Sequence, residues 1–177
     1  MITVVRAKTT WMRLLAAVTV VLTLGLTACQ TGNTVATVAG DRITEAELDE
    51  LTAKVAEASG DELSLELRYS VLTSLIAGDV SEQAGNDLGI SFSEAQLNSF
   101  AERMGYGPYL ANPEIADLYR GLARWNALAT LSQERRELTD AVLNVNVEVN
   151  PRYGDWDPTG QMPLLPTTGS LSVPAMR

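Results

Sequence analysis

Two short signals fix where helices must begin, and they commit most of this chain to a helical body. Thr44-Glu45-Ala46-Glu47 puts a threonine at a helix cap and a glutamate three residues on, while Ile43 and Leu48 flank it as an apolar staple. Ser93, with Gln96 three residues on and Phe92 and Leu97 as staple, repeats the signal. The first start predicts a helix from about 45 to Ser59, stopped by Ser59-Gly60-Asp61. A second runs from near Glu62 to about Leu88, because Leu67, Val71, Leu72, Leu75, Ile76, Val80, Ala84 and Leu88 recur at spacings of three and four, with Gly89 as cap. The third is short and ends at Met104-Gly105. Asn112-Pro113-Glu114 opens the longest helical pattern, reaching to about Leu143 as one helix, with a charged run from Gln133 to Glu137 thinning its stripe.

The two ends of this body read differently. Thr34 to Ala39 is β-branched, is bounded by Gly40-Asp41 and resumes at Arg42-Ile43, which predicts a small hairpin or strand-turn. Val145 to Val149 alternates strictly, the period of a strand with one buried face. The expected fold is therefore mainly α, a bundle of about four helices, with a small β pairing of the N-terminal (about 34–43) and C-terminal (about 145–149) strands. Beyond the turn-rich segment 150–157, the proline-rich stretch 158–177 is expected to be a disordered tail.

Composition removes several kinds of chemistry. The 177 residues contain no histidine and one cysteine, so a Ser-His-Asp triad, a His-ligated zinc, an internal disulfide and a CxxC pair are all excluded. With 13 basic against 22 acidic residues the formal charge is −9, the wrong sign for a phosphate backbone, so no nucleic-acid partner is expected. No DxDxDG loop offers a calcium site, and no metal or cofactor is expected. Asp155 and Asp157 around Trp156 could serve as an acid-base pair, but solvated turn carboxylates are far commoner, and the expectation is that the protein is not an enzyme.

Residues 1–28 have the layout of a secretory signal: Arg6, Lys8 and Arg13, then the apolar run Leu14 to Leu26, too short for a comfortable membrane span. That segment ends Leu26-Thr27-Ala28-Cys29, which resembles the lipobox of bacterial lipoproteins. The resemblance implies that Cys29 is acylated, for example with palmitate, and becomes the first residue of the mature chain, with 29–33 as a lipidated tether. Ordinary signal cleavage near Ala28, leaving a free thiol, and a retained signal anchor are the alternatives. Cleavage before Cys29 takes away three basic and no acidic residues, leaving 10 against 22 and a charge of −12. The expected location is the extracytoplasmic face of the cell membrane, held by the acyl chains on Cys29.

The run Val35-Ala36-Thr37-Val38-Ala39-Gly40-Asp41-Arg42-Ile43-Thr44-Glu45-Ala46-Glu47-Leu48 resembles the opening of SurA-type extracytoplasmic chaperones. Val149-Asn150-Pro151-Arg152-Tyr153-Gly154 looks like the closing segment of actinobacterial lipoproteins with this domain. The two matches bracket residues 34–157 and give Gly40, Ile43, Thr44, Pro151, Arg152, Tyr153 and Gly154 a role in the structural motif. Members of the family often carry a parvulin prolyl-isomerase domain whose site uses histidines. This chain has neither histidine nor a free stretch for such a domain. The resemblance thus implies a chaperone-like holdase role without isomerase activity, with unfolded or exported polypeptides as partners. A structural or scaffolding lipoprotein with one dedicated envelope partner is the alternative.

A cleft for unfolded segments would be lined by aromatics and methionine, which adapt to varied side chains. The candidates are Phe100, Met104, Tyr106, Tyr109, Leu118, Tyr119, Leu122 and Trp125, each of which also fits an ordinary inward helical stripe. The Tyr106–Leu110 segment reads as an aromatic loop and is the one expected to be most exposed. Arg152 reads as a lock on the closing turn, through a carboxylate or carbonyl, with ligand recognition as the alternative.

Overall fold

In the computed structural model, residues 33–132, 136–158 and 164–165 are described, and the account concerns the compact unit that begins at Thr34. Strands β1 (Thr34–Val38) and β2 (Asp41–Thr44) form an antiparallel hairpin. Its two-residue turn holds Ala39 at φ 51° and Gly40 at φ 102°. Positive φ at both positions matches the twist of the flanking strands, and glycine suits the second. A register shift between Thr34 and Ala36 turns Val35 inward beside Ala36, so Val35, Ala36 and Val38 are all buried.

Helix α1 (Glu45–Ser59) starts where expected. The Thr44 hydroxyl accepts from the Glu47 amide, and the Glu47 carboxylate accepts from the Thr44 amide. Gly60, at φ 77°, ends it. Helix α2 (Leu65–Asp87) is capped by Ser64 rather than starting near Glu62, and it carries the buried Val71, Leu72, Ile76, Val80 and Ala84 along its inward face. Helix α3 (Glu94–Arg103) has the second reciprocal cap, Ser93 with Gln96. The segment read as an aromatic loop contains a short helix, α4 (Gly107–Leu110), with Pro108 in its first turn, where a missing amide costs no bond.

The longest helix departs from expectation. Instead of one helix to Leu143 there are two, α5 (Ala116–Ser132) and α6 (Arg136–Asn144). A straight helix would separate Trp125 from Val142 by about 25 Å, yet both wall one cleft, so α6 runs back alongside α5. Pro113 lies in a turn ahead of α5, where the Asn112 side chain accepts from the Glu114 amide. Leu138 of α6 is buried, which ties the returning helix to the core.

Strand β3 (Val147–Val149) then pairs antiparallel with β1, Val38 opposite Val147 and Ala36 opposite Val149, giving the order β2-β1-β3. The mainly helical fold with a β pairing of the chain's two flanks is thus as expected. Strand β4 (Asp155–Trp156) pairs with β5 (Leu164–Leu165), two residues within the stretch read as a disordered tail. The other residues beyond Pro158, the signal segment and Cys29 lie outside the described residues.

Helices α2 and α5 form the centre. Gly78 and Gly121 meet there, and a Cβ on Gly121 would lie 3.0 Å from the Gly78 Cα. The core around them joins Leu48, Leu72, Ile76, Ile115 and Leu128 to the inner face of the sheet.

Candidate functional site

The eight candidate binding residues do not share one groove. Tyr109 stacks on Tyr119 at 4.5 Å between centroids and 9° between planes, and Tyr106 meets the same ring at 5.0 Å. This cluster fixes α4 on α5. Burial pushes the Tyr119 phenol up to about 12, reinforced by its tyrosine neighbours and Asp61. The segment expected to be most exposed is thus half-buried at both its tyrosines, because a ring stacked on α5 gains more than one left in water. Phe100 packs edge-on to Phe92 at 6.1 Å and carries the Arg103 guanidinium over its other side, while Met104 is half-buried at the end of α3. Leu118 is 8% exposed and Leu122 is half-buried against the core.

Trp125 is different. It meets Trp156 of β4 edge-on at 6.1 Å and, with Leu128, Ala129, Thr139, Val142, Leu143 and Pro158, walls a cleft of about 340 Å³ between α5 and α6. Among the described residues of that wall, Thr139 supplies the hydroxyl. Leu143, at 46% exposed, and Leu131, at 37%, remain uncovered nearby. The cleft exists because α6 returns along α5, so only Trp125 of the eight was placed in it by periodicity.

Among the described residues, the closing segment is tied to the start of the body by Asn150 and Tyr153. The Asn150 amide donates to the Val35 carbonyl and its side chain to the Thr34 carbonyl. The Tyr153 hydroxyl donates to the Glu45 carboxylate at 2.5 Å, tying the turn to the first turn of α1. Tyr153 is raised above an ordinary phenol by burial and then by that bond, against the lowering field of Arg68. Arg152 is exposed, and among the described residues no carboxylate pairs with it.

A second cleft, of about 470 Å³, opens between α1, α2 and α5 over the Gly78–Gly121 contact. Its wall is charged: Glu47, Asp79, Glu82, Glu114 and Asp117 face Arg120 and Arg124. Arg124 bonds Glu82 at 2.8 Å, and Arg120 bonds both Glu94 and Asp117 at 2.8 Å, so the arginines are consumed in clamping α5 to α2 and α3. Among the described residues no cation pairs with Asp79 in this way. Desolvation at the cleft wall, then the charges of Glu47, Glu82 and Asp41, push its carboxyl up to about 6, against the pull of Arg124. Sequence reading did not single out Asp79, Arg120 or Arg124, since nothing in their spacing tells one solvated helix face from another.

Among the described residues no three His, Cys, Asp or Glu side chains gather as a metal site, and no helix is long and apolar enough to cross a membrane. In comparison with known families, the model of the SurA-like N-terminal domain matches residues 1–105. The match takes in the hairpin, α1, α2 and α3 and ends before α4, so the apolar cleft is built from residues beyond it. No curated protein and no solved structure matches the chain.

Proposed function

Because this chain belongs to the SurA-like N-terminal domain family, we propose that it is a non-catalytic, chaperone-like module that holds exported or unfolded polypeptides outside the cytoplasm. The cleft of about 340 Å³ between α5 and α6 carries the reading. Its lining is apolar and aromatic, its wall leaves Leu143 open to solvent, and a surface of that kind takes apolar segments without demanding one sequence. The client segment lays apolar side chains against Trp125, Val142 and Leu143, and the binding step needs no proton transfer and no cofactor. Prolyl isomerisation is not part of the proposal, since the chain has no histidine for a parvulin-type site.

Acylation at Cys29 tethers the module to the outer face of the cell membrane. Two or more acyl chains make that anchoring stable, each adding about 0.8 kcal/mol per buried CH₂. Cys29→Ala then releases the protein from the membrane fraction or leaves its signal uncleaved. A mature charge of −12 supports the reading, because it keeps the tethered body away from anionic headgroups.

A photo-crosslinker placed at Leu143 in cells tests the role. A range of exported chains on the crosslinker supports the holdase. One stoichiometric envelope protein supports instead a scaffolding lipoprotein that uses the same cleft for a dedicated partner.

A further inference from the structure

A small cleft between the first turns of α2 and the closing turn gathers two of the chain's few cations. Its volume is about 190 Å³ and its wall is Leu65, Arg68, Tyr69, Leu72, Arg152 and Tyr153. Both charged groups in that wall are guanidiniums, in a chain with 13 basic against 22 acidic residues. Arg68 is 26% exposed, its Nη2 lies 2.8 Å from Asp49, and its guanidinium sits 5.4 Å from the centroid of the Tyr153 ring. Its Nε–H is buried and finds no acceptor among the described residues. Buried donors are nearly always paired, so this one marks an unfinished hydrogen-bond account. Arg152 stands across the cleft with no carboxylate partner among the described residues, its turn held by Asn150 and Tyr153 instead.

We propose that this cleft binds a carboxylate borne by an apolar residue of a polypeptide. A carboxylate presents two acceptors to a guanidinium fork, so Arg152 takes it in bidentate fashion, and a rotation of the Arg68 side chain brings Nε–H to the same group. The apolar part lies against Leu65, Leu72 and the Tyr69 ring. Leu65 is 74% exposed and has room to fold over it. The volume falls below the roughly 300 Å³ at which small-molecule pockets begin, so a nucleotide or other large cofactor does not fit, whereas the end of one residue does. Asp49 behind Arg68 and Glu45 behind Tyr153 favour a monoanion over a phosphate, whose second charge they repel. The site is separate from the apolar cleft and does not depend on that cleft's role.

The test is an NMR titration of the isotope-labelled full chain in a nonionic detergent with acetyl-Gly-Ala-Leu bearing a free C-terminus. The expected result is saturable shifts at amides of residues 65–72 and 150–154, weakened about tenfold or more by Arg152→Gln and by amidation of the peptide. A third peptide, amidated but with a glutamate before the leucine, distinguishes the sources. Recovery of the shifts assigns the site to acidic side chains, and no recovery assigns it to chain termini. The proposal is overturned by equal binding of the amidated leucine peptide, by unchanged binding to Arg152→Gln, or by no shift up to about 10 mM, where any affinity stronger than roughly millimolar is visible.

Discussion

Gly78 of α2 and Gly121 of α5 face each other so closely that a Cβ on Gly121 would lie 3.0 Å from the Gly78 Cα, and one on Gly78 3.3 Å from the Gly121 Cα. In both directions the obstacle is main chain, which cannot swing aside as a side-chain tip can. The two central helices therefore approach over bare backbone, and the charged cleft above them follows from that approach. Alanine at either site gains about 1 kcal/mol in helix propensity but meets an overpacking cost of about 1–3 kcal/mol. Gly121→Ala is expected to lower stability by about 1 kcal/mol or more, and Gly78→Ala by less, in urea denaturation. Equal stabilisation by both would mean that the helices are not pressed together here.

The Tyr153–Glu45 hydrogen bond closes the body across most of its length in sequence. Tyr153→Phe removes the donor and keeps the ring under Arg68. The expected loss is about 1–2 kcal/mol, since the acceptor is charged but the site is partly open to water. Glu45→Gln retains an acceptor and should cost less than Tyr153→Phe in the same thermal melts.

Asp79 sets a pH dependence whose sign follows from its environment. Its carboxyl stands near 6 in the folded protein against an ordinary 3.8, so the folded state holds the proton more tightly than the unfolded one. Stability from this group is therefore gained as pH falls from above 6 towards 4 and is lost as pH rises through that window. Asp79→Asn keeps the shape and removes the titration. It should be more stable than the parent at pH 8, with the difference shrinking at pH 5, in melts run at both values. A variant less stable than the parent at pH 8 would contradict the assignment.

The reciprocal caps predict equal and modest losses. Thr44→Ala and Ser93→Ala each remove a side-chain acceptor from the N3 amide and should cost about 1 kcal/mol apiece. The caps lie on different helices and share no partner, so the double variant should show the sum within about 0.5 kcal/mol.

Local signals were legible in the sequence and their assembly was not. Thr44 with Glu47 and Ser93 with Gln96 identify two helix starts because a cap is decided within four residues. The pairing of β1 with β3 was legible from an N-terminal hairpin that left one edge of β1 open and a single alternating segment at the other flank. The split into α5 and α6 was not, because the helical period runs on past Ser132 and the return of α6 is decided by Leu138 and Val142 finding the core. The same blindness scattered the binding candidates. Periodicity marks which face of a helix turns inward, so Tyr119 qualified equally with Trp125, and Tyr106 and Tyr109 came from a segment read as a loop, although the three tyrosines pack on one another. Which stretch of inward face is left uncovered depends on where the neighbouring helix stops. Gly78 and Gly121, isolated glycines inside helical stripes, were a readable sign of close approach.

The most direct test of the client-holding role is suppression of aggregation. The full chain in nonionic detergent is mixed in several-fold excess with an unfolded client, and light scattering is followed. The account predicts suppression, and about a tenfold higher concentration requirement for Leu143→Glu, the factor for a loss of 1.4 kcal/mol, with its melting midpoint little changed because Leu143 is 46% exposed. No suppression by the parent chain, or equal suppression by Leu143→Glu, would contradict it.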